Sequence, residues 1–296
     1  CLLRCFIDKD DNGLNYWNFL SLPSIMRDGT KMLRGGVMRV AIIGQGRVGT
    51  AFKELVARRF DYVTYDPKMD SVYPYADISA ADFAVICVPT SMNEDGSCNI
   101  EIVEEAISKL DNQHILIKST VKPGTTDYLS EKYGKRICFS PEYIGQSEYK
   151  NSYYKEMIDT PFVIVGGQQE EANYFVDFFE LIYGPESVYF TCSSVEAELI
   201  KYMENSFFAT KVTFVNEYYR IVQQFKADWH KVREGWLLDQ RINRTFTSVF
   251  SDKKGFNGGC LPKDISAIVS AAAEEGLDAR LLRAVIDVNR EITDAN

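Results

Sequence analysis

The segment GFNGGCLPKD, Gly255 to Asp264, sets one cysteine behind three glycines and an aspartate one helical turn beyond it. Glycine in a loop costs conformational entropy, so such a run points to a backbone that approaches something closely. The thiol of Cys260 is either buried in a turn before a helix or presented to a ligand. A second glycine run, Gly44-Gln45-Gly46-Arg47-Val48-Gly49, follows the apolar stretch RVAII and opens the periodic stretch VGTAFKELVARR. In that setting Gly44 permits the tight turn and Gly46 lets a pyrophosphate approach the backbone. Gly49 allows close helix–strand packing, and Arg47 and Val48 complete the turn at a helix N-terminus that faces the phosphates. Asp66 ends the next strand-like run, DYVTYD, 22 residues after Gly44. A carboxylate there accepts both ribose hydroxyls and repels a 2′-phosphate, so NAD is expected rather than NADP.

Two further strand-like runs end in polar residues: Pro89 and Thr90 after FAVICV, and Ser119 and Thr120 after HILIKS. In an open parallel sheet, ligands lie beyond the carboxyl ends of the strands, so both pairs are expected to line the cofactor crevice. Glu142, with Tyr143 behind it, follows RICFS and faces the same edge. Lys201 and Asn205 are spaced i, i+4 and project from one face of a long helical stretch.

The elements that must position these residues follow from periodicity. From Arg39, short β-branched runs alternate with amphipathic stretches such as NIEIVEEAISKL and EEANYFVDFFELIY. That alternation predicts a Rossmann-type, doubly wound parallel sheet with helices on both faces over residues 38–192. Residues 193–296 read as an all-helical domain, almost continuously helical from 195 to 237 and again from 263 to 293, begun by one long helix. The first 37 residues differ in character, and Met38 is the expected start of the native domain, with residues 1–37 an extension foreign to it. Within them, Asp8, Asp10, Asn12 and Gly13 match the early positions of a calcium loop. The bidentate glutamate of its last position is replaced by Phe19, so an Asx-rich turn is expected instead.

Composition bounds the rest. A formal charge of −9 with interspersed signs argues against nonspecific nucleic-acid binding. No apolar run is long enough to span a bilayer. Seven scattered cysteines without a CxxC pair read as reduced, mostly buried thiols of a cytoplasmic protein. The two histidines, His114 and His230, have no neighbouring metal ligands, so no metal is expected and acid–base chemistry falls to Lys, Asp, Glu or Cys.

Taken in order, GQGRVG, CVPT, STVKPGT, SPEY, EAELIKYMENSFFATKVTFVNE, DQRI, GFNGGCLPKD and LLRAVIDVN resemble the UDP-glucose/GDP-mannose dehydrogenase family. The matches run collinearly from Gly44 to Asn289. The resemblance implies oxidation of the C6 hydroxymethyl of a nucleotide sugar to a carboxylate with two NAD⁺, in the service of polysaccharide precursor synthesis. It implies that Cys260 is the nucleophile that forms a thiohemiacetal and then a thioester, with Asp264 its partner. Lys201 would stabilise or exchange a proton with the C6 oxygen, to which Asn205 donates a hydrogen bond, while Glu142 and Thr120 activate the hydrolytic water. Tyr143, Phe256 and Gly258 count with the substrate-binding residues. Arg241 would extend toward substrate in a neighbouring subunit, which implies a homodimer around the long helix.

The sequence departs from the family in places. A second glutamate of the SPE segment is Gln146 here, and Asn257 stands where the cysteine loop has glycine. Asparagine tolerates positive φ, so the loop shape is expected to survive. The stretch from Asp66 to Asp82 is short, and a helix is expected to be missing there. Family members continue into a second Rossmann-like domain that grips the nucleotide, and the sequence stops after the VIDVN match, so that domain is expected to be lacking. The alternatives are a two-domain β-hydroxyacid dehydrogenase, which uses a helix lysine and asparagine but needs no cysteine, and a silent NAD- or sugar-nucleotide-binding remnant.

Overall fold

The computed structural model describes residues 38–144, 154, 156–250 and 253–294, together with the backbone of 2–9 and 15–22. The calcium-loop residues Asp10, Asn12 and Gly13 lie outside the described residues, as does Gln146. The backbone of β1 (Leu2–Lys9) pairs antiparallel with that of β2 (Asn15–Leu22). The chain divides into two compact units: Cys1–Thr90 with Ile100–Glu198, and Ser91–Asn99 with Leu199–Asn296.

The first unit is built on seven strands: β3 (Arg39–Ile43), β4 (Asp61–Tyr65), β5 (Phe83–Ile86), β6 (His114–Ile117), β7 (Arg136–Phe139), β8 (Phe162–Gly166) and β9 (Val188–Cys192). Their order is β4-β3-β5-β6-β7-β8-β9. β3 to β7 are parallel, as their two-sided apolar runs predict. The expectation that FVIVG continues the parallel set is corrected: β8 meets β7 antiparallel, at Phe139 and Gly166, and β9 runs parallel to β8. The last two strands form a βαβ unit of their own around α5 (Gln169–Tyr183), laid on the sheet in the opposite sense. Apolar composition alone does not distinguish strand direction.

Alternate residues of each strand serve opposite cores, because side chains in a strand point alternately to either face. Val40 and Ile42 join α1 (Arg47–Val56) and α5 in one cluster, where Phe52, Phe83, Phe178 and Phe179 pack at ring separations of 4.9–6.3 Å. Ala41 and Ile43 face α3 (Glu101–Ser108) and α4 (Thr125–Tyr133) in the other. The stretch expected to lack a helix holds a short one, α2 (Tyr75–Ser79), whose Ile78 reaches the second cluster. His114 opens β6 and stacks on Tyr174 at 4.2 Å. Burial, with Arg136 nearby, holds its pKa below the ordinary value.

The second unit holds most of α6 (Ser194–Gln224), then α7 (Trp229–Trp236), α8 (Leu261–Glu274) and α9 (Arg280–Asp294). The helical runs expected at 195–237 and 263–293 each comprise two helices with one break between them. Lys226 takes φ +53 and Asp228 caps α7 by accepting from the His230 N–H, while Gly276 at φ +78 ends α8. Ala209, Phe256, Ile265 and Val285 form a core from α6, the cysteine loop, α8 and α9. Ser91–Asn99, an excursion that no periodicity marks, belongs to this unit.

Candidate active site

In the first unit the carboxyl ends of β3 to β7 share one edge of the sheet, as a parallel arrangement requires. Gly44 leaves β3 at φ +94, and a Cβ there would stand 2.7 Å from the Cys87 carbonyl oxygen. A Cβ on Gly49 would stand 1.9 Å from the Gly44 oxygen, so this glycine is required by the turn itself. Gly46 differs. It is the exposed N-cap of α1 and a Cβ there would meet nothing within 4 Å. No side chain caps α1 and its first turn holds no acid, which leaves N–H groups and a positive helix end facing open space. That cradle fits a pyrophosphate.

Asp66 follows β4 and braces the same turn. Its carboxylate accepts from the Gln45 N–H at 2.8 Å and the Lys68 N–H at 2.9 Å. Those bonds, the first most of all, hold its pKa below the ordinary carboxylate value. The carboxylate therefore stays charged beside the turn, with acceptor capacity left for hydroxyl donors. Arg47 is exposed, Val48 half-buried, and past β5 Pro89 is exposed while Thr90 is buried. The Ser119 hydroxyl donates to the Val88 oxygen at 2.6 Å, tying the loop after β6 to the exit of β5. Thr120 is half-buried next to it.

Two buried ionisable side chains that sequence reasoning misses hold the neighbouring loops. Lys118, 5% exposed at the end of β6, donates to the Ser140 hydroxyl at 3.3 Å and the Pro141 carbonyl at 3.0 Å. It thereby fixes the turn that presents Glu142, whose Oε2 accepts from the Ile144 N–H at 2.9 Å and beside which Tyr143 is half-buried. Glu198, in the α6 residues of the first unit, is fully buried and accepts from the Gly124 N–H at 2.6 Å and the Thr126 N–H at 2.9 Å. The Thr126 hydroxyl donates to it as well, at 2.6 Å, so Glu198 caps α4 from another helix. A signal exists for each: a lysine closing a strand apolar on both faces, and a glutamate three residues before Lys201 on the same helix face.

In the second unit Lys201 and Asn205 are buried on one face of α6, as their spacing predicts. The Lys201 Nζ lies 3.9 Å from Glu204 Oε2. Asp264 is 1% exposed, and its carboxylate accepts from Asn205 Nδ2 at 2.6 Å and from Lys263 Nζ at 2.5 Å. Lys263 is a further residue of this cluster that sequence reasoning does not single out, since LPKD draws attention only to its aspartate. Cys260 is half-buried and forms the N-cap of α8, its carbonyl accepting from the Asp264 N–H at 2.8 Å. The start of a helix favours an anion, which suits a thiolate.

The loop ahead of Cys260 departs from one expectation. Its positive φ values fall on Gly255 (+74) and Gly258 (+104), while Asn257 stays outside the left-handed region. The glycines on either side take the strained turns, so asparagine need not. Phe256 is buried, Gly258 exposed, and Arg241 exposed with its guanidinium on Asp239 at 2.6 Å. No disulfide joins cysteines among the described residues, and burial pushes the Cys87 thiol up to about 12. No group of metal-ligating residues occurs among the described residues, and none of their helices is long and apolar enough to cross a membrane.

A glycine turn at the amino end of α1, an acid at the end of β4 and a helical unit that follows define a dinucleotide-binding dehydrogenase fold. Residues 68–185 match the UDP-glucose/GDP-mannose dehydrogenase family, NAD binding domain, and residues 195–291 match the central domain of the same family. The chain belongs to the UDP-glucose/GDP-mannose dehydrogenase family, and its cofactor is NAD. It is 31% identical over 240 residues to UDP-glucose 6-dehydrogenase AglM of Haloferax volcanii, covering 73% of this chain and 54% of that protein. The chain spans about half the length of the curated relatives it matches.

Its fold is that of a UDP-glucose dehydrogenase from Pyrobaculum islandicum, with a TM-score of 0.74 at 23% identity over 90% of this chain and 70% of that one. It is also that of Mycobacterium tuberculosis 3-hydroxyisobutyrate dehydrogenase, with a TM-score of 0.65 at 14% identity over 86% of this chain and 94% of that one.

Proposed function

We propose that the protein oxidises the C6 hydroxymethyl of a nucleotide sugar to a carboxylate, with Cys260 as a covalent nucleophile. The observation that carries this reading is the buried Asp264, hydrogen-bonded by Asn205, one turn behind a cysteine that opens a helix. A hydroxyacid dehydrogenase needs a lysine and an asparagine but no thiol, and its fold likeness alone does not call for this arrangement.

The Gly44–Gly49 turn and Asp66 would hold NAD⁺, and a fresh molecule of it would accept the hydride in each of the two oxidations. Lys201 takes or returns the proton of the C6 oxygen as the alcohol becomes an aldehyde. An aldehyde carbon is sp² and has no hydride to give in a second oxidation until a nucleophile adds. The Cys260 thiolate adds to it, forming a C–S bond and a thiohemiacetal whose oxygen Lys201 and Asn205 stabilise. Loss of the second hydride leaves a thioester. Water activated by Glu142 and oriented by Thr120 then breaks the C–S bond, releasing the carboxylate and the thiol.

Two copies pairing through α6 fit the same reading. Met203, Phe207, Phe214, Tyr218, Ile221 and Phe225 are exposed at spacings of three, four and seven, a coiled-coil-like stripe with Met203 at 78% and Phe225 at 80%. Arg241, exposed in the same unit, is available to a partner's substrate.

The test is incubation with NAD⁺ and a panel of UDP- and GDP-sugars while NADH is followed, repeated with Cys260→Ser. Two NADH per sugar are expected for wild type, and the serine variant stalls before the acid. Turnover of a small hydroxyacid with no response to any nucleotide sugar sinks the reading.

A further inference from the structure

The cysteine loop is anchored at its entry and open in its middle. The Phe256 N–H donates to Asn289 Oδ1 at 2.7 Å, and Asn289 Nδ2 donates to the Phe256 carbonyl at 2.9 Å. One carboxamide thus satisfies both backbone groups of a single residue, as an adjacent strand would. The preceding Gly255 N–H donates to Asn216 Oδ1 at 3.2 Å, and Asn216 Nδ2 donates in turn to the Val212 carbonyl at 2.9 Å. Gly255 is itself required, since a Cβ there would stand 2.6 Å from Asn289 Oδ1. Beyond Phe256 no neighbour crowds the backbone: a Cβ on Gly258 or Gly259 would meet nothing within 4 Å.

Asn289 lies on α9 between Val285 and Ile292, in the stripe that faces the core. An aliphatic side chain is the ordinary occupant of such a position, because an unpaired amide is costly to bury. The amide has partners here only because the loop passes over it.

We propose that Asn289, supported by Asn216, is a positioning residue for Cys260. The proposal rests on Cys260 being the nucleophile. Three residues, Asn257 to Gly259, separate the clamp from the thiol and could span about 10 Å if extended. With the entry fixed and α8 holding the other end, that span is confined to an arc. A misplacement of about 1 Å at a reacting atom can cost 100-fold in rate.

The test uses Asn289→Ala, the isosteric Asn289→Asp, and Asn216→Ala, each checked for folding by thermal unfolding. Amide hydrogen exchange across 255–260 is expected to accelerate about tenfold or more in Asn289→Ala, with 261–274 unchanged. Oxidation of a nucleotide-sugar 6-aldehyde should fall about tenfold or more while KM for NAD⁺ stays within about twofold. Asn289→Asp discriminates further. Its carboxylate cannot donate to the Phe256 carbonyl but its acid form can, so its rate relative to wild type should rise as pH falls. Exchange is measured without turnover, so an inactive wild type with accelerated exchange in the variant counts for the clamp and against the dehydrogenase reading. Folded variants with wild-type exchange and rates overturn the proposal, as does an equal loss in every step including NAD⁺ binding. If Asn289→Ala does not fold, Asn289→Asp and Asn216→Ala decide the matter by the same two measurements.

Discussion

Gly46 and Gly49 are the same residue type three positions apart, yet their surroundings assign them different work. A methyl on Gly49 collides with the Gly44 carbonyl inside the protein, whereas one on Gly46 meets nothing within 4 Å. Gly49→Ala is therefore expected to destabilise the fold by about 3 kcal/mol, seen as a lower urea midpoint. Gly46→Ala should leave stability within about 0.5 kcal/mol of wild type but raise the Kd for NAD⁺ about tenfold by calorimetry. Equal effects of the two substitutions on stability would show that the turn has no open phosphate cradle. Spacing makes the motif legible in the sequence, but which glycine faces solvent is a property of what packs behind it.

At the scale of elements, buried polar side chains hold the loops and helix ends around the candidate site. Glu198 caps α4 from α6, Lys118 holds the turn after β7, and Asn205 and Lys263 converge on Asp264. Burial pushes the Glu198 carboxyl up to about 7 against its three hydrogen bonds, from an ordinary value of 4.5. A folded pKa above the unfolded one means that the folded state takes up the proton more readily. The associated stability is fully present below about pH 4.5 and lost as pH rises through about 7. The melting temperature of wild type should accordingly fall by a few degrees, about 2–4 °C, between pH 5.5 and 8 relative to Glu198→Gln. Parallel curves for the two proteins would show that this carboxyl does not set the pH dependence. The helix carrying Glu198 is plain from its period, but its cap on another helix joins residues more than seventy positions apart.

For the molecule as a whole, the apolar stripe on α6 sets the expected assembly. Phe207→Asp, at a residue 61% exposed, adds a charge to the middle of that stripe without disturbing a buried contact. Sedimentation should show wild type at twice the 33.7 kDa chain mass and the variant at the single-chain mass. Wild type that sediments as a monomer at micromolar concentration would refute pairing through this helix. The break between the two compact units falls within α6, at Glu198 and Leu199, six residues past the change in sequence from alternating strands and helices to helices alone. The membership of Ser91–Asn99 in the second unit is not foreshadowed, because a short polar excursion carries no periodic signal.

Local physics is what the sequence by itself determined. Two-sided apolar runs specified the strands, 3.6-residue periods specified the helices, and the spacing of Gly44, Gly46 and Gly49 between a strand and a helix specified the glycine turn. Collinear motifs likewise marked Lys201, Asn205, Cys260 and Asp264. Only the tertiary structure decided the reversed sense of β8 and β9, the breaks after α6 and α8, and the partners of Glu198, Lys118 and Asn289. Strand direction depends on how the chain returns to the sheet, and hydrogen bonds between distant residues exist only once the chain is compact. The cysteine loop joins both levels: its glycines are written in the sequence, but the asparagine that anchors it comes from a helix that begins twenty residues after Cys260.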